Sequence, residues 1–402
     1  MNYKAYKYRL YPTQTQAELI DKTIGAARFV YNKLLEACIK QYEATKKFIL
    51  NTPASLKPEF TFLTEVDSLA LCNSQMNLKS AFRTFFKKQN RFPKFHSKKK
   101  DKQSYTTNCT NNSIRIEPSG LRLPKLGIIK CVFHRYCYGK IKSATITKTK
   151  TGKYFVSILV EDNKPKVIIQ NFHNKNLGID MSFHGDFAVY SDGTIAKFPN
   201  FYLKALSKLG RLNHKFSRTK PNSKNHERLR LRIARVSEKI SNQLRDWLEK
   251  ESLRIAKNYD VVSVEDINLQ SMAKLNHGKK VLNNSFGLFR TLLERKVKEQ
   301  LGTFIKIDKW YPSSQICHVC GYRNIITKNL SVINYTCPVC HTEHNRDKNA
   351  SINIQKYGEI ISATEVLTPK KSACGEYCKT CKKSHCDLVQ ADFNEASKVV
   401  VL

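Results

Sequence analysis

The spacing of apolar side chains changes along the chain, and each change predicts a different kind of structure. Residues 3–11 alternate with a period of two, which predicts a basic, aromatic-rich strand. From Pro12 onward, and again over about 64–88, apolar residues recur every three or four positions, which predicts two helices. Between about 104 and 162, short alternating runs are separated by glycine turns. We therefore expect a β-barrel-like unit that the first strand joins and that the two helices interrupt.

A different succession of elements follows a polar linker over 161–175. Two short apolar strands end at Asp180 and Glu265, and a hairpin between them turns at residues 191–193. The remaining pattern predicts helices over 201–258 and 286–301, a strand over 303–309 and a final helix from about 347. Strands that alternate with helices are typical of an α/β layer.

At 402 residues the chain is long enough for several domains, each with its own core. The fold class that we expect is multidomain, with an α/β domain, a β-barrel domain and a helical domain. The expected boundaries are 1–11 and 104–165 for the β-barrel, 12–103 for the helical insertion, 172–308 for the first part of the α/β domain, 309–345 for a cysteine-rich segment, 346–360 for the last helix of the α/β domain, and 361–402 for a polar, disordered tail.

Four cysteines in the second half of the chain have the spacing of a metal site. Cys317 and Cys320 form one C-x-x-C pair, Cys337 and Cys340 form another, and sixteen residues separate the pairs. Thiolates at this spacing form a closed tetrahedral site for one structural Zn2+, which leaves no open position for catalysis. The sequence therefore predicts a zinc site that supports the fold.

Other histidines and cysteines leave alternatives open. His318, His341 and His344 could replace one of the four thiolates, although the spacing does not require this. The tail contains a second, irregular group, whose members are Cys374, Cys378, Cys381, His385 and Cys386. A second metal cluster is one interpretation of that group, and a disordered cysteine-rich tail is the one that its irregular spacing favours.

Three acidic residues occupy positions from which a catalytic metal site can be built. Asp180 and Glu265 each end an apolar strand, which is where reaction sites lie in α/β sheets, and Asp347 opens a helix seven residues after the last paired cysteine. If the strands are neighbours and the helix packs over them, the three carboxylates converge. Such oxygen ligands hold Mg2+ or Mn2+, and two such ions can activate water and stabilise a leaving oxygen in phosphodiester hydrolysis.

Each of these acids also has a structural explanation. Asp180 could form a turn at the end of its strand, Glu265 could lie on the surface, and Asp347 could cap its helix. We expect such structural roles for four neighbouring acids, which are Asp186, Asp192, Asp266 and Asp308. For Asp180, Glu265 and Asp347, the catalytic interpretation is favoured by their order along the chain, their placement at strand ends and the flanking cysteines.

The charge of the chain narrows the choice of partner. The 70 Lys and Arg residues outnumber the 33 Asp and Glu residues and give a formal net charge of +37. Since self-repulsion of this size opposes a compact fold, we expect a polyanionic partner. Basic residues occur along the whole chain and no lipidation motif is present, which favours nucleic acid over an acidic membrane. Without an apolar signal-peptide core, we expect a cytoplasmic protein with reduced thiols.

The stretch KKQNRFPKFHSKKKDK, residues 87–102, is strongly basic. One interpretation is a flexible, solvated charge run. The interleaved aromatic residues and the rigid Pro93 favour instead a groove that contacts phosphates and stacks bases. The candidate nucleic-acid contacts are Lys87, Lys88, Arg91, Lys94, Lys98, Lys99 and Lys100, together with Arg346 beside the third acid.

Several separated motifs occur in one order along the chain. They are YKYRLYPTQTQ, RFVYN, RFPKF, LPKLG, GKYFVS, LGIDMS, VEDINLQSM, YPSSQICHVCG, and CPVC followed by NRDKNASINI. With these motifs the chain resembles, over about residues 3–355, the TnpB family. Bacterial and archaeal insertion sequences encode this family, which is related to the type V CRISPR effectors.

The resemblance implies an RNase H-like (RuvC) nuclease domain with Asp180, Glu265 and Asp347 as metal-binding catalytic acids and with an inserted zinc ribbon. It also implies that the β-barrel is a wedge-like domain, interrupted by a helical recognition domain. Family members bind a guide RNA made from the end of the element and cleave double-stranded target DNA beside a short flanking motif, while base pairing reads the sequence. We expect a monomeric ribonucleoprotein, associated with the nucleoid of a prokaryote and with no membrane partner.

Two residues depart from the family pattern, Asn345 before the Arg-Asp pair and Tyr335 before the third cysteine, and neither is a proposed metal ligand. Some relatives have lost catalytic acids and act as guided repressors, whereas all three positions are acidic in this chain. We therefore expect an active endonuclease. A catalytically silent DNA-binding repressor and an accessory transposase that joins strands are the alternatives.

Overall fold

The fold is taken from a computed structural model, which describes residues 2–99, 101–162, 175–181, 186–266, 285–329 and 331–367. The chain divides into two compact units, Met1–Lys166 and Val167–Leu402, and each is described by itself. No helix within the described ranges is both long enough and apolar enough to cross a membrane.

Unit one combines a seven-stranded sheet with two long helices. Its elements are β1 (Asn2–Tyr11), α1 (Gln14–Thr45), α2 (Ser68–Phe86), β2 (Gln103–Asn108), β3 (Arg115–Glu117), β4 (Gly120–Leu123), β5 (Gly127–Val132), β6 (Lys140–Lys148) and β7 (Tyr154–Asp162), with two 3-10 helices at Pro53–Leu56 and Thr61–Thr64. The strand order is β2-β6-β7-β1-β5-β4-β3. The first strand of the chain thus joins the later strands, as predicted, and lies in the middle of the sheet.

The side chains of β1 explain its central position. Tyr6, Tyr8 and Leu10 are buried in the core, and β1 pairs antiparallel with β7 on one side and with β5 on the other. Among the described strands, β2 and β3 form the two edges of the sheet, so closure into a barrel by hydrogen bonds is not observed there. Strand β2 itself had not been predicted as a separate strand.

The two helices of unit one bury less of their apolar face than their spacing predicts. Thr13 caps α1, because its hydroxyl accepts from Gln16 N while the Gln16 side chain accepts from Thr13 N. The buried side chains of α1 run from Ile20 to Cys38, whereas Tyr42, which continues the same helical spacing, is exposed. Met76 and Phe86, which fit the apolar spacing of α2, are also exposed. Helical spacing shows which side of a helix is apolar, but not how far the partner surface extends.

Unit two combines an α/β layer with a small two-stranded sheet. Its elements are β8 (Asn176–Met181), β9 (Ala188–Tyr190), β10 (Ile195–Ala196), α3 (Phe201–Ser217), α4 (Lys224–Asn258), β11 (Val261–Glu265), α5 (Phe286–Glu299), β12 (Thr303–Ile307), a 3-10 helix at Ile325–Lys328, β13 (Asn334–Thr336), β14 (Glu343–Asn345) and α6 (Arg346–Leu367). The predicted start of the tail at residue 361 is wrong, because α6 continues to Leu367 and Ile361 still packs against the apolar core beneath it.

The five-stranded sheet of unit two has the order β10-β9-β8-β11-β12. β8, β11 and β12 are parallel, while β9 and β10 are antiparallel to their neighbours. Leu177, Ile179, Val262 and Val264 share a core with α4 and α5 on one face. The opposite face is covered by α6, whose Ile354 packs into a second core with residues of β12.

Helix α6 lies very close to the sheet because two glycines remove the side chains in between. A Cβ at Gly178 of β8 would lie 2.0 Å from Ser351 O and 2.5 Å from Gln355 N. A Cβ at Gly358 of α6 would lie 1.9 Å from Ser263 Oγ on β11. These separations are far inside van der Waals contact, so any larger residue at either position would push the helix away from the strands.

Gly178→Ala is expected to destabilise unit two by roughly 3 kcal/mol, because the added methyl group overlaps backbone atoms of α6. Gly210→Ala is the matched control, since a Cβ at this position of α3 meets nothing within 4 Å. The control should be stabilised by about 1 kcal/mol through helix propensity. Urea unfolding followed by circular dichroism measures both. A Gly178→Ala protein as stable as the parent would contradict the close contact.

Candidate active site and metal centre

The two acids at strand ends come together through the register of β8 and β11. Val261 to Val264 pair in parallel with Asn176 to Ile179, so the next step of the register puts Glu265 beside Asp180. Both acids alternate with residues that face α4 and α5, and they therefore point to the side that α6 covers. Both are half-buried. The expectation that the two strands are neighbours is confirmed.

Helix α6 brings the third acid to the same side of the sheet. Asp347 lies in its first turn, and the negative charges of Asp347 and Glu265 both act on Asp180. The residue that caps this turn is Asn345, whose Oδ1 accepts from Lys348 N at 3.2 Å. The alternative in which Asp347 is the helix cap is therefore not observed.

A buried arginine holds the carboxylate of Asp347. Arg346 is 7% exposed, and its Nε and Nη2 donate to Asp347 Oδ1 at 3.1 and 3.0 Å. Its positive charge also lowers the pKa of Asp180. In this position Arg346 is a partner of the acids, and its direct contact with nucleic acid stays a prediction.

Burial changes the proton affinity of the acids at the ends of the two strands, Asp180 and Glu265. The pKa of Asp180 is raised to about 8, first by burial and then by the negative charges of Asp347 and Glu265. Burial raises the pKa of Glu265 to about 7. A nearby cation stabilises the ionised form of such carboxylates. Their hard oxygen donors match the preference of Mg2+ or Mn2+. These residues therefore fit a site for a divalent cation.

Three of the four neighbouring acids have the structural roles that we predicted. Asp192 accepts hydrogen bonds within the hairpin turn after β9. Asp266 pairs with Arg290 at 2.6 Å. Asp308 accepts from Trp310 N at 2.7 Å. These contacts give each of these three acids a structural role.

The four cysteines form a compact group of metal-binding atoms. Their sulfur atoms all lie within 4.8 Å of one another. The Sγ atoms of Cys317 and Cys340 are 3.6 Å apart, as are those of Cys320 and Cys337. In the described part of the chain the three acids are not gathered to this degree. The thiols alone could therefore hold one tetrahedral metal ion with little rearrangement.

The two cysteine pairs lie in matching backbone turns. Cys317 N donates to Tyr322 O and Cys337 N donates to Thr342 O, both at 2.9 Å. Of the three histidines considered as substitute ligands, His344 contacts a thiol, with its Nε2 3.1 Å from Cys317 Sγ. His344 therefore lies within hydrogen-bonding distance of one of the four thiols.

Helix α6 connects the cysteine cluster to the acids. Asn353 is buried, and its Nδ2 donates to Ser313 O at 2.8 Å and to Ile316 O at 2.6 Å. Asn349, one turn earlier, donates to Ile316 O and accepts from His318 N. Neither Asn349 nor Asn353 was predicted from the sequence to have a role. The signal was present in two asparagines four positions apart, which share one face of the helix with apolar residues, because buried amides need partners.

The basic segment is held against α1 and α2 over residues 87–99, which argues against a flexible charge run. His96 stacks on Tyr31 with ring centres 3.9 Å apart, and its backbone exchanges hydrogen bonds of 2.8 and 2.9 Å with the Asn32 side chain. Phe92 packs against aromatic rings of α2. Phe95 is 56% exposed, which leaves its ring accessible.

The predicted cations of this segment lie on its surface. Lys87, Lys88, Arg91, Lys94, Lys98 and Lys99 are all exposed. Lys100 lies outside the described residues, and so do the tail candidates Cys374, Cys378, Cys381, His385 and Cys386. Contact of these cations with nucleic acid stays a prediction.

Three family models match successive parts of the chain. A model described as a helix-turn-helix domain (HTH_OrfB_IS605) matches residues 1–47, and one described as "Probable transposase" (OrfB_IS605) matches residues 157–276. A third, described as the Cas12f1-like TNB domain, matches residues 286–354. The second model includes Asp180 and Glu265, and the third includes the cysteine cluster and Asp347.

Relatives match over nearly the whole chain. One from Streptomyces pristinaespiralis, named an RNA-guided DNA endonuclease, is 28% identical over 382 residues, which is 90% of each chain. InsQ from Escherichia coli (strain K12), with the same description, is 28% identical over 96% of this chain and 98% of its own. The TnpB-like protein L79 of Acanthamoeba polyphaga mimivirus is 24% identical over 88% of this chain and 72% of its own. Over nearly its whole length this chain is similar to proteins named RNA-guided DNA endonucleases and to a TnpB-like protein.

The structure of the chain differs from the description of its first matching model. The segment that matches the helix-turn-helix model forms strand β1 followed by the single helix α1. Among solved structures, a Cas12f1 complex with sgRNA and target DNA aligns over 88% of this chain and 99% of its own, with a TM-score of 0.34 and 14% identity.

Asp180 and Glu265 should make the free energy of unfolding depend on pH. Because their pKa values in the folded protein lie above the ordinary 3.8 and 4.5, the folded state binds more protons than the unfolded state between about pH 4 and pH 8. Stability should therefore fall as the pH rises through that range. Asp180→Asn should flatten the profile and raise the stability at pH 8 by roughly 2 kcal/mol.

Urea unfolding at several pH values, in buffer without Mg2+ or Mn2+, measures this dependence. Asp246→Asn, at an exposed position of α4, is the control and should keep the parent's profile. If Asp180→Asn also kept the parent's profile, Asp180 would have an ordinary proton affinity in the folded protein.

Proposed function

We propose that this chain is an RNA-guided, divalent-metal-dependent DNA endonuclease of a mobile genetic element. It cleaves double-stranded target DNA next to a short flanking motif, with a guide RNA derived from the end of the element. The observation that carries the proposal is the convergence of Asp180, Glu265 and Asp347 on one side of the five-stranded sheet. The descriptions of the full-length relatives support the RNA-guided part.

The α/β domain belongs, in this proposal, to the RuvC-like class with an RNase H-like fold. The support is a sheet in which β8, β9 and β10 form an antiparallel meander, β11 and β12 run parallel to β8, and acids lie at the carboxyl ends of β8 and β11. The cysteine segment is then a zinc ribbon inserted before the last catalytic helix. Unit one supplies the wedge-like domain and the helical recognition domain.

The catalytic role of the acids follows from their donor atoms and their burial. Asp180, Glu265 and Asp347 are proposed to hold two ions of Mg2+ or Mn2+. When bound, such ions supply the positive charge that activates a water and stabilises the leaving oxygen of a phosphodiester. The chain itself keeps the carboxylates half-buried and orients Asp347 through Arg346, which also offsets part of their negative charge.

Guide RNA and target DNA are the partners that fit the charge of +37. In unit one, the exposed cations of residues 87–99 lie on both sides of Phe95 in the sequence, and the ring of Phe95 is accessible. Such a surface offers contacts to phosphates and a face for base stacking. We propose a monomeric ribonucleoprotein that acts at the nucleoid, in the cytoplasm of a prokaryote.

Asp180→Ala tests the catalytic assignment. With a matched guide RNA, target DNA and Mg2+, the variant should cleave at least about a thousandfold more slowly, because one of three metal-binding carboxylates is lost. Binding of the guide RNA, measured by filter retention, should be unchanged. Asp246→Ala, an exposed acid on α4, is the control and should cleave like the parent. Full cleavage by Asp180→Ala would show that the site is elsewhere.

Cys337→Ser tests the zinc ribbon. Cys337 is buried, and loss of one of four thiolates should release the metal and destabilise unit two by several kcal/mol. Elemental analysis should find about one Zn2+ per parent chain and far less in the variant. Cys72→Ser, at an exposed cysteine, should keep the metal. A parent protein without zinc would contradict the assignment.

The two alternatives make different products. A catalytically silent repressor would bind matched DNA and leave it intact. An accessory transposase, which the description of one matching model favours, would yield covalent junctions between element and target. Sequencing of reaction products distinguishes both from an endonuclease, which yields cut ends alone.

A further inference from the structure

The thiols of the cysteine cluster form two close pairs, and each close pair joins an accessible thiol to a buried one. Cys320 is exposed, and its Sγ lies 3.6 Å from that of Cys337, which is buried. Cys340 is half-buried, and its Sγ lies 3.6 Å from that of Cys317, which is also buried. Because a disulfide bond is about 2.05 Å long, a movement of roughly 1.5 Å would bond either pair. The cluster therefore has the geometry for oxidation as well as for metal binding.

The two close pairs differ in how readily an oxidant reaches them from solvent. Cys320 is more accessible than Cys340, whose Sγ also donates to Thr342 Oγ1 at 3.3 Å. Since oxidation of a cysteine follows its exposure, Cys320 is the first of the four thiols that an oxidant meets. Cys337 is then the buried thiol in position to bond with it.

The second C-x-x-C turn is joined directly to the start of α6. This turn lies between β13 and β14, and α6 follows β14 without a linker. Asn345, the last residue of β14, caps the helix, and Arg346 N donates to Ile333 O at 2.8 Å. A movement of this small sheet therefore moves the first turn of α6, which contains Asp347.

The first C-x-x-C turn is hydrogen-bonded to the same part of α6. Asn349 Oδ1 accepts from His318 N at 2.9 Å, and Asn353 Nδ2 donates to Ile316 O at 2.6 Å. Lys356 Nζ donates to His318 O at 2.6 Å. Both C-x-x-C turns thus support the first three turns of the helix, and the two turns meet at the four thiols.

We propose that Cys320 and Cys337 form an oxidative modification site, and that a disulfide between them loosens the start of α6 and displaces Asp347. The oxidant is a small peroxide. The Cys320 thiolate attacks one peroxide oxygen, the O–O bond breaks, and a sulfenic acid and hydroxide form. The Cys337 thiolate attacks the sulfenic sulfur, the S–O bond breaks, and a second hydroxide leaves. Two electrons thus pass from the two sulfur atoms to the peroxide, and two protons from solvent convert both hydroxides to water.

The disulfide changes both the ligand set of the cluster and its shape. It removes two of the four thiolates that fit one metal ion, whereas a closed tetrahedral zinc site needs all four. It also draws Cys320 and Cys337 closer together than they lie in the structure. Both changes disturb the turns to which α6 is hydrogen-bonded. This inference rests on the proposed zinc ribbon but requires no cleavage, so the two can fail separately.

The later turns of α6 have contacts of their own with the sheet. Ile354 packs in a core with residues of β12, and Gly358 lies against Ser263 of β11. We therefore expect the loosening to be confined to residues 346–353. Residues 354–361 are an internal control in the same helix.

The test treats the full, zinc-loaded chain with increasing amounts of hydrogen peroxide. Zinc release is measured with the chromophoric chelator 4-(2-pyridylazo)resorcinol, and mass spectrometry of unreduced peptides locates the disulfide. Hydrogen exchange of backbone amides compares residues 346–353 with residues 354–361. The control variant removes thiols outside the cluster and combines Cys72→Ser, Cys374→Ser, Cys378→Ser, Cys381→Ser and Cys386→Ser.

About one Zn2+ per chain should be released as a disulfide forms between Cys320 and Cys337. Exchange over residues 346–353 should become at least about tenfold faster, while exchange over residues 354–361 stays within about twofold. Dithiothreitol with Zn2+ should reverse all three changes, because a disulfide is reducible. The control variant should respond like the parent. Cleavage of matched DNA should fall and recover in parallel.

Three results would overturn the inference. They are zinc retained by the peroxide-treated chain, a disulfide that excludes Cys320, and zinc release with unchanged exchange over residues 346–353. A parent chain without zinc would overturn the proposed zinc ribbon, and the disulfide and the exchange would still decide the inference. A reduced chain that does not cleave would overturn the proposed endonuclease and would leave the zinc, disulfide and exchange results intact.

Discussion

The contact of α6 with β8 and β11 is the constraint on which the rest of unit two depends. At Gly178 the missing side chain lets β8 contact the backbone of α6. At Gly358 the missing side chain lets α6 contact Ser263 of β11. One side of the helix then carries Asp347 toward Asp180 and Glu265, while Asn349 and Asn353 on another side hold the turn that contains Cys317. A single helix thus fixes the positions of the acids and of the cysteine cluster relative to each other, although the two groups of metal-binding side chains are separate.

Gathering three acids beside a sheet opposes folding, and the surroundings offset that effect in part. Burial raises the pKa of Asp180 and of Glu265, and Arg346 acts in the opposite direction on Asp180. The arginine is itself buried, and its pair with Asp347 satisfies a charge that water cannot reach. The resulting site is stable enough to fold and still attracts positive charge, which is the combination that a metal-dependent enzyme needs.

The sequence predicted those features that depend on local pattern. The strands that end in Asp180 and Glu265, the hairpin after Ser191 and the cysteine spacing all lie within short windows, and the structure has each of them. It did not predict features that depend on partners far along the chain. Gly178 meets Ser351, and the roles of Arg346 and Asn353 appear only when the helix is docked. Tyr42 and Met76 fit an apolar face by spacing, yet the partner surface does not reach them.

The place of the third acid in the order of synthesis has a consequence for the cell. Strands β8, β11 and β12 are complete once the ribosome has passed Ile307, but α6 begins only at Arg346. A nascent or truncated chain that stops between these points has two acids on an uncovered sheet and lacks the helix that brings the third. If these acids catalyse DNA cleavage as proposed, an unfinished chain has an incomplete active site. The enzyme then becomes active only after translation has passed α6.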